Sequence, residues 1–195
     1  MTFASALETL AHTWHIWFVS VVLIVAAVID GIQLKVPNWL TFPMIVAGWA
    51  FSAASFAFAG EAWYVGLGWS VLGTFVGLAL LLPAYAIGGM GAGDVKLLAG
   101  IGAWTLSTHT FYAFCATVVV GAVMAVAMVL YRGAFKKHAA QFQLILNEIF
   151  TIRDAETLSE IAAERKPRMM LLPYGIPMCI GTLLYFAWAG LYFGG

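Results

Sequence analysis

The sequence predicts an all-α membrane protein in which six transmembrane helices form one domain over residues 1–195. Hydrophobic residues make up 63% of the chain and charged residues only 9%, whereas soluble domains are roughly half apolar and a quarter charged. Apolar windows long enough to cross a bilayer recur along the chain. One long polar segment interrupts them, at about 132–168. We expect it to form a cytoplasmic insertion between the fifth and sixth helices.

Each predicted span is an apolar run bounded by polar or charged residues. A bilayer core of about 30 Å needs roughly 20 helical residues, because each unpaired backbone amide in lipid costs several kcal/mol. The third run carries Gly73 and Gly77, a spacing that lets helices approach closely. The fourth run is the shortest. The six spans are predicted at about 14–30, 39–59, 63–87, 95–106, 111–131 and 170–193.

The distribution of basic residues predicts the orientation. The first fifteen residues contain no Lys or Arg, so we expect the first span to remain as an anchor and not to act as a cleaved signal peptide. Six spans would bring the basic residues of the loops to one side, which the positive-inside rule makes the cytoplasm, with both termini outside. These residues are Lys35, Arg132, Lys136, Lys137, Arg153, Arg165, Lys166 and Arg168.

The insertion has the pattern of an amphipathic helix. Its apolar residues recur at three- and four-residue steps, as in a helix that lies in the membrane interface. Thr157 and Glu160 form a capping-box pattern that predicts a second short helix. A solvated cytoplasmic hairpin without a catalytic role is the simpler interpretation. The apolar positions are Phe135, Phe142, Ile145, Ile149 and Ile152.

Charge and cysteine content exclude several classes of function. Nine basic and nine acidic residues cancel, so nothing steers the chain toward nucleic acid. Cys115 and Cys179 lie far apart and form no CxxC pair, which excludes a four-cysteine zinc site. The histidines show no HExxH spacing and are predicted to be surface or interfacial residues. We therefore expect no metal and no cofactor. The histidines are His12, His15, His109 and His138.

Two aspartates adjoin apolar spans and are the candidate catalytic residues. Asp30 closes the first span and Asp94 opens the fourth, so the topology places both near the cytoplasmic surface. A carboxyl group at membrane depth costs a few kcal/mol unless it is paired, protonated or hydrated. The run Gly88–Gly93 before Asp94 predicts irregular backbone, because each glycine costs about 1 kcal/mol in a helix. Such backbone lines a polar cavity or docks another chain.

Residues beside the aspartates complete the candidate site. Lys96 lies two positions after Asp94, so it cannot face that carboxyl on a regular helix, and we favour a role in membrane anchoring over tuning or substrate binding. Asn38 after Pro37 is predicted to be the N-cap of the second helix.

A proline- and glycine-containing segment precedes the last span. Pro173 and Gly175 flank Tyr174 in this segment. They mark either a break that lets the last helix border the site or a plain interfacial turn.

Three motifs together resemble the type IV prepilin peptidase family. The segment 91–96 reads Gly-Ala-Gly-Asp-Val-Lys, a GxGD motif, while 36–41 reads Val-Pro-Asn-Trp-Leu-Thr and 173–177 reads Pro-Tyr-Gly-Ile-Pro. GxGD alone is shared with presenilin-type proteases, but its combination with Asp30 and the Pro-Asn segment is specific. The resemblance covers most of the chain, from about Asp30 to Pro177.

The resemblance implies an aspartic endopeptidase of the bacterial inner membrane. It would remove the short basic leader of a prepilin or pseudopilin precursor at the cytoplasmic face, without a cofactor, using Asp30, Asp94 and a water. Membrane lipid and the precursor are the expected partners. The candidate substrate-binding or cavity-lining residues are Gly88, Gly89, Gly91, Gly93, Lys96, Pro37, Asn38, Pro173, Tyr174 and Gly175.

The chain also departs from the long members of that family. Those members carry a methyltransferase segment with a four-cysteine metal site, and the sequence shows neither, so we expect no methylation. The chain looks most like the enzymes that serve tight-adherence (Flp) pili, although its insertion at 132–168 is a departure.

The helix dipoles favour Asp94 as the general base and Asp30 as the general acid, since Asp94 lies at a helix N-terminus and Asp30 at a C-terminus. Two alternatives remain: a presenilin-like intramembrane protease, and an ion or proton transporter that uses the two membrane aspartates. The chain length and the position of both acids near one surface argue against the transporter. The oligomeric state stays open.

Overall fold

The computed structural model consists of helices joined by short turns. It describes residues 3–86, 89–131, 157, 161 and 173–193, and this part of the chain contains no strand, which confirms the all-α prediction. The elements are α1 (Phe3–Gln33), α2 (Asn38–Phe58), α3 (Trp63–Ala86), α4 (Ala92–Tyr131), α5 (Gly175–Trp188) and a closing 3-10 turn (Leu191–Phe193).

Four of the described helices are long and apolar enough to cross a membrane: the His12–Gln33 part of α1, and α2, α3 and α4. Helix α5 is apolar but has only 14 residues. Large apolar side chains remain exposed on the outer faces of these helices, including Val28, Phe75 and Val123. Soluble monomers rarely expose such surfaces. The structure therefore has the character of a multi-pass membrane protein.

The helix boundaries differ from the predicted spans at two places. Helix α1 continues three residues past Asp30 and ends at Gln33, where Leu34 takes a positive φ of 53°. The predicted spans 95–106 and 111–131 form the single helical stretch α4, broken at Leu106 (φ 62°, ψ 175°). The predicted gap at 107–110 is helical, and within it the Thr110 hydroxyl donates a hydrogen bond to the Leu106 carbonyl.

The insertion at 132–168 lies outside the described residues, apart from Thr157 and Ile161, and so do residues 170–172 of the sixth predicted span. The insertion stays a prediction.

The break at Leu106 reverses the direction of the chain. The part of α4 before the break runs antiparallel to α1. Helix α5 with its 3-10 turn also runs antiparallel to α1, whereas the part of α4 after the break runs antiparallel to α5. The two parts of α4 therefore run in opposite directions. The neighbouring pairs that show these directions are Phe18–Trp104 and Asp30–Asp94, then Asp30–Gly175 and Ser20–Tyr192, then His109–Tyr185 and Gly121–Pro177.

The part of α4 before Leu106 is the centre of the bundle. Its residues 97–105 are buried without exception. Gly73 of α3 and Gly102 face each other so closely that a Cβ on either would overlap the carbonyl of the other, and a Cβ on Gly77 would lie 2.6 Å from the Leu98 carbonyl oxygen. The close approach predicted from the spacing of Gly73 and Gly77 is confirmed.

We expect Gly102→Ala to destabilise the bundle by about 2 kcal/mol or more, because the new Cβ would force α3 away from α4. Gly68→Ala is the matched control, since Gly68 lies in α3 with no atom within 4 Å of the added carbon. It should leave stability unchanged or raise it by about 0.5 kcal/mol. Thermal unfolding of both variants in one detergent measures the difference; equal midpoints would contradict the packing argument.

Candidate functional site

Two buried carboxyl groups meet at one end of the bundle. Asp30 lies in the last turn of α1 and is 3% exposed, and Asp94 lies in the first turn of α4 and is 7% exposed. Because these helices are antiparallel, the end of one and the start of the other share a level. The two carboxyl groups are close enough to interact electrostatically. The structure thus brings together the pair that the sequence singles out.

Asp30 is held by the first backbone amide of α5. The Gly175 N–H donates a hydrogen bond to Asp30 Oδ2 at 2.7 Å. A Cβ at Gly175 would stand 2.9 Å from the Asp30 Cβ and 3.0 Å from its Oδ2. The amide reaches the carboxylate because position 175 has no side chain. Of the two explanations for the proline and glycine segment, the structure supports the one in which α5 borders the site.

Asp94 is held by its own helix start. The Gly91 N–H donates to Asp94 Oδ2 at 3.3 Å, and the Asp94 N–H donates to the Gly91 carbonyl at 3.2 Å. A carboxylate that reaches back to the amide at the helix start is one half of a capping box. The other oxygen, Oδ1, is buried and has no hydrogen-bond partner among the described residues. A buried oxygen of this kind needs a hydrogen-bond partner or a bound proton, and a substrate or a water can serve as that partner.

The loop between α1 and α2 is pressed against the start of α4. A Cβ on Gly93 would lie 2.5 Å from the Val36 carbonyl oxygen. Lys96 Nζ donates to Asn38 Oδ1 at 2.9 Å and stands 4.7 Å from the centre of the Phe42 ring, within the range of a cation–π contact. Lys96 therefore points toward α2 and away from the carboxyl pair, as its spacing from Asp94 predicts.

The prediction that Asn38 is the N-cap of α2 is wrong. Pro37 occupies the cap position with extended backbone (φ −75°, ψ 146°), Asn38 is the first helical residue, and no side chain caps the helix. The Asn38 amide oxygen accepts a hydrogen bond from the Lys96 ammonium instead. A charged donor forms a stronger hydrogen bond than a neutral backbone amide, which accounts for the difference.

The glycine run is less irregular than predicted. The Gly89 N–H donates to the Ala84 carbonyl at 2.8 Å and so caps the end of α3. Gly89 and Met90 form a bend, but Ala92 and Gly93 already belong to α4. The predicted cavity-lining residue Gly88 lies outside the described residues. Irregular backbone before Asp94 is therefore limited, in the part that the structure describes, to residues 89–91.

Pro173 and Tyr174 form the turn that leads into α5. The Tyr174 ring is partly exposed, and its phenol is close enough to Asp94 to interact with that carboxyl electrostatically. The turn and the first residue of α5 therefore lie beside both acids, with the Gly175 amide bonded to Asp30 and Tyr174 near Asp94.

Three residues at the site were not predicted. Val36 supplies the carbonyl against which Gly93 packs, Phe42 lies under the Lys96 ammonium, and Met90 is buried at 8% exposure inside the glycine run. Met90 carried a signal, because a large apolar residue between glycines indicates a side chain that packs. Phe42 carried none, since its contact depends on the angle between α2 and α4.

Three histidines gather at the opposite end of the bundle. His12, His15 and His109, which the sequence predicts to be surface or interfacial residues, line one cavity of about 500 Å³. His109 Nδ1 is hydrogen-bonded to the Tyr185 hydroxyl at 2.7 Å, and His15 stacks on Phe51. Within the described residues no three His, Cys, Asp or Glu side chains are arranged to hold a metal ion.

Comparison with known proteins places the chain in a family. The model of the type IV leader peptidase family matches residues 17–126, more than half of the chain. The chain belongs to the type IV leader peptidase family. The matched segment includes both aspartates and the α1–α2 loop, and it ends before α5. The family resemblance inferred from the motifs is confirmed.

Curated relatives agree with this family. The chain is 31% identical over 139 residues to a prepilin leader peptidase/N-methyltransferase of Aeromonas hydrophila, covering 68% of this chain and 44% of the relative. A protein of the same description from Aeromonas salmonicida (strain A449) is 30% identical with the same coverage. The chain spans less than half the length of the curated relatives it matches. No solved structure matches it.

We expect Lys96 and Asn38 to be coupled in stability. In a double-mutant cycle of Lys96→Met and Asn38→Leu, the coupling should be about 0.5–1 kcal/mol, because the bond is charge-assisted but exposed. Lys35→Met is the matched control, since Lys35 forms no hydrogen bond with Asn38 in the described part of the chain and its cycle should give no coupling. Unfolding free energies in detergent supply the cycle, and equal coupling for both lysines would refute the link between α2 and α4.

Proposed function

We propose that the chain is an aspartic endopeptidase that removes the basic leader of prepilin-like precursors at the cytoplasmic face of the membrane. The observation that supports this most is the pair of buried carboxyl groups, Asp30 and Asp94, at one end of an apolar bundle in a chain of the type IV leader peptidase family. Two carboxyl groups suffice for peptide hydrolysis when one is ionised and the other protonated.

The hydrogen bonds support one assignment of the two catalytic roles over the other. Two neighbouring carboxyl groups hold a single negative charge, because like charges close together cannot both persist. Asp30 accepts a short bond from Gly175, whereas Asp94 accepts a long one and leaves Oδ1 without a partner. A hydrogen bond to a charged group contributes about 1.5–3 kcal/mol, more than the roughly 0.3–1 kcal/mol of a helix dipole. The charge therefore belongs on Asp30.

This assignment reverses the one that the helix dipoles favoured. Ionised Asp30 takes a proton from a water held between the acids, and the water oxygen attacks the carbonyl carbon of the leader peptide bond. Protonated Asp94 donates its proton to the carbonyl oxygen. As the tetrahedral intermediate collapses, Asp94 takes back the proton of one hydroxyl while the C=O bond re-forms, the C–N bond breaks, and the proton on Asp30 passes to the departing amine. Both carboxyl groups return to their starting state in the cycle.

The substrate class follows from the relatives. They are named prepilin leader peptidase/N-methyltransferase. We propose a prepilin or pseudopilin precursor of the Flp type, with no cofactor. Substrate contacts are assigned to the predicted residues Gly89, Gly91, Tyr174 and Gly175. Gly93, Lys96, Pro37, Asn38 and Pro173 position the site.

The proposed topology has six passes through the bacterial inner membrane, and the reversal of the chain at Leu106 is consistent with it. On this proposal α4 contributes two passes and α5 the last. The carboxyl end of the bundle then faces the cytoplasm together with the basic insertion at 132–168, and the end with the three histidines faces outward. Both acids would lie near one surface, which favours a surface-edge peptidase over a protease that cuts within the membrane.

We expect Asp30→Asn and Asp94→Asn each to lower cleavage of an Flp-type prepilin by about 100-fold or more, because each removes one half of the acid–base pair. The purified wild type and variants are compared in liposomes by the mass of the processed pilin. The sequence predicts an unmethylated product N-terminus, which the same spectra test. Thermal unfolding of the variants controls for folding.

Several outcomes would contradict the proposal. Processing by a variant that lacks both carboxyl groups would exclude the pair. Loss of activity in chelator and its return with zinc would indicate a metalloenzyme. Cuts inside the apolar helix of the precursor would favour the presenilin-like alternative, and ion flux without cleavage would favour the transporter.

Gly175→Ala should slow cleavage by about 10- to 100-fold, because the added carbon pushes Asp30 away and small displacements of a catalytic group are costly. Gly31→Ala is the matched control: it lies next to Asp30, and its added carbon would meet Ile176 Cδ1 at an ordinary 3.6 Å. Its cleavage rate should stay near that of the wild type. If both variants cleave at the wild-type rate, the amide of Gly175 does not position Asp30.

A further inference from the structure

A cavity of about 290 Å³ lies beside the carboxyl pair, between α3, the second part of α4 and the start of α5. Its walls include Leu81, Met90, Phe114, Tyr174 and Pro177. Nothing in the chemistry described above uses this cavity.

The cavity borders the candidate active site. Met90 directly precedes Gly91, whose amide binds Asp94, and Tyr174 directly precedes Gly175, whose amide binds Asp30. Tyr174 also lies close enough to Asp94 to interact with its charge. Two residues that line the cavity are therefore chain neighbours of the backbone groups that hold the acids.

The lining suits an apolar group. Apart from the phenol of Tyr174, the side-chain hydroxyl in the lining belongs to Thr117, and its Oγ1 donates to the Ala113 carbonyl of the same helix at 2.8 Å. That hydroxyl is already satisfied. A cavity with satisfied polar groups and hydrocarbon walls stabilises apolar occupants and rejects charged ones.

The size of the cavity and its depth in the membrane restrict further which group can occupy it. Pockets for whole small molecules measure roughly 300–1,000 Å³, so this cavity fits one large side chain. From Tyr174 it extends toward Phe114, which is nearer to the Leu106 reversal, so it lies on the membrane side of the acids. Small residues of α4, Gly121, Ala122 and Ala125, form its outer wall, and the two alanines are exposed. A side chain can therefore enter from the bilayer.

We propose that this cavity binds a large apolar side chain of the precursor, from the segment on the membrane side of the bond that is cut. The inference rests on the proposed function, in which the basic leader lies on the cytoplasmic side and the remainder of the precursor enters the membrane. Occupation of the cavity by that side chain holds the scissile bond against Asp30 and Asp94. The cavity thereby selects precursors by the size of this residue.

A variant in which an added side chain fills the cavity tests whether the cavity selects precursors by the size of this residue. Ala122→Phe places a ring in the cavity from its exposed wall, and Ala127→Phe adds the same ring to another exposed alanine of α4 that does not line it. The substrate is the Flp-type prepilin, with each of the first residues after the cleaved bond changed in turn to alanine or phenylalanine. At one of these positions the wild type should cleave the phenylalanine precursor more efficiently than the alanine precursor, by about tenfold or more.

The two variants separate selection from folding. Ala122→Phe should remove the preference while it still cleaves the alanine precursor, and Ala127→Phe should keep the preference. An unchanged preference in Ala122→Phe, or no size preference at any position in the wild type, would overturn the inference.

Cross-linking separates this inference from the proposed function. The Asp94→Asn protein, which should bind but not cleave, is irradiated with the precursor that carries a benzophenone side chain at the selected position, or at each position in turn where no preference is seen. Cross-links to α4 around 118–125 and to the start of α5 support the cavity even if no cleavage occurs. Cleavage by the wild type with cross-links elsewhere, or with cross-links to lipid alone, refutes the cavity and leaves the peptidase standing.

Discussion

Keeping two carboxyl groups buried at the end of an apolar bundle is the constraint on which the rest of the structure depends. Asp30 and Asp94 are nearly inaccessible, and a buried carboxyl without donors costs several kcal/mol. Each is supplied with a backbone amide, one from Gly175 and one from Gly91. Backbone amides carry no charge, so they satisfy the oxygens without cancelling the negative charge that the proposed acid–base chemistry needs.

Glycines surround the two carboxyl groups because backbone amide donors must come close to the carboxyl oxygens. Position 175 must lack a side chain for its amide to reach Asp30, and position 93 must lack one for the α1–α2 loop to lie against α4. Farther from the acids, Gly73 and Gly102 bring α3 and the central part of α4 into backbone contact. The acids are thus bound by backbone groups, and contacts between the backbones of neighbouring helices hold those groups in place. Backbone atoms vary less in position than the ends of long side chains do.

Features set by local pattern could be predicted from the sequence. The aspartates were singled out because a charged residue beside an apolar run is costly wherever it occurs, and the orientation of Lys96 followed from helix periodicity alone. The spacing of Gly73 and Gly77 predicted a close helix contact for the same reason. Each of these inferences needs only neighbours within one helix.

Features that depend on partners far away in the sequence could not be predicted from it. Asn38 was predicted to cap its own helix, but its partner Lys96 stands 58 positions away. The amide that holds Asp30 comes from 145 positions away, and no local pattern encodes such a distance. At Leu106 the chain reverses in a positive-φ conformation without the glycine or proline that usually signals one, so helical residues continue through a stretch where a loop was expected.

The bond between Gly175 and Asp30 also bears on biosynthesis. A ribosome makes the chain from its N-terminus, and domains generally fold in that order. Asp30 enters the bilayer early, yet its donor is synthesised 145 residues later. Until the final helix inserts, the first acid has no partner from α5 and must stay hydrated or protonated at the membrane edge. The carboxyl pair of a nascent chain therefore lacks one of its two amide donors, and the site is complete only when the last segment of the chain is in place.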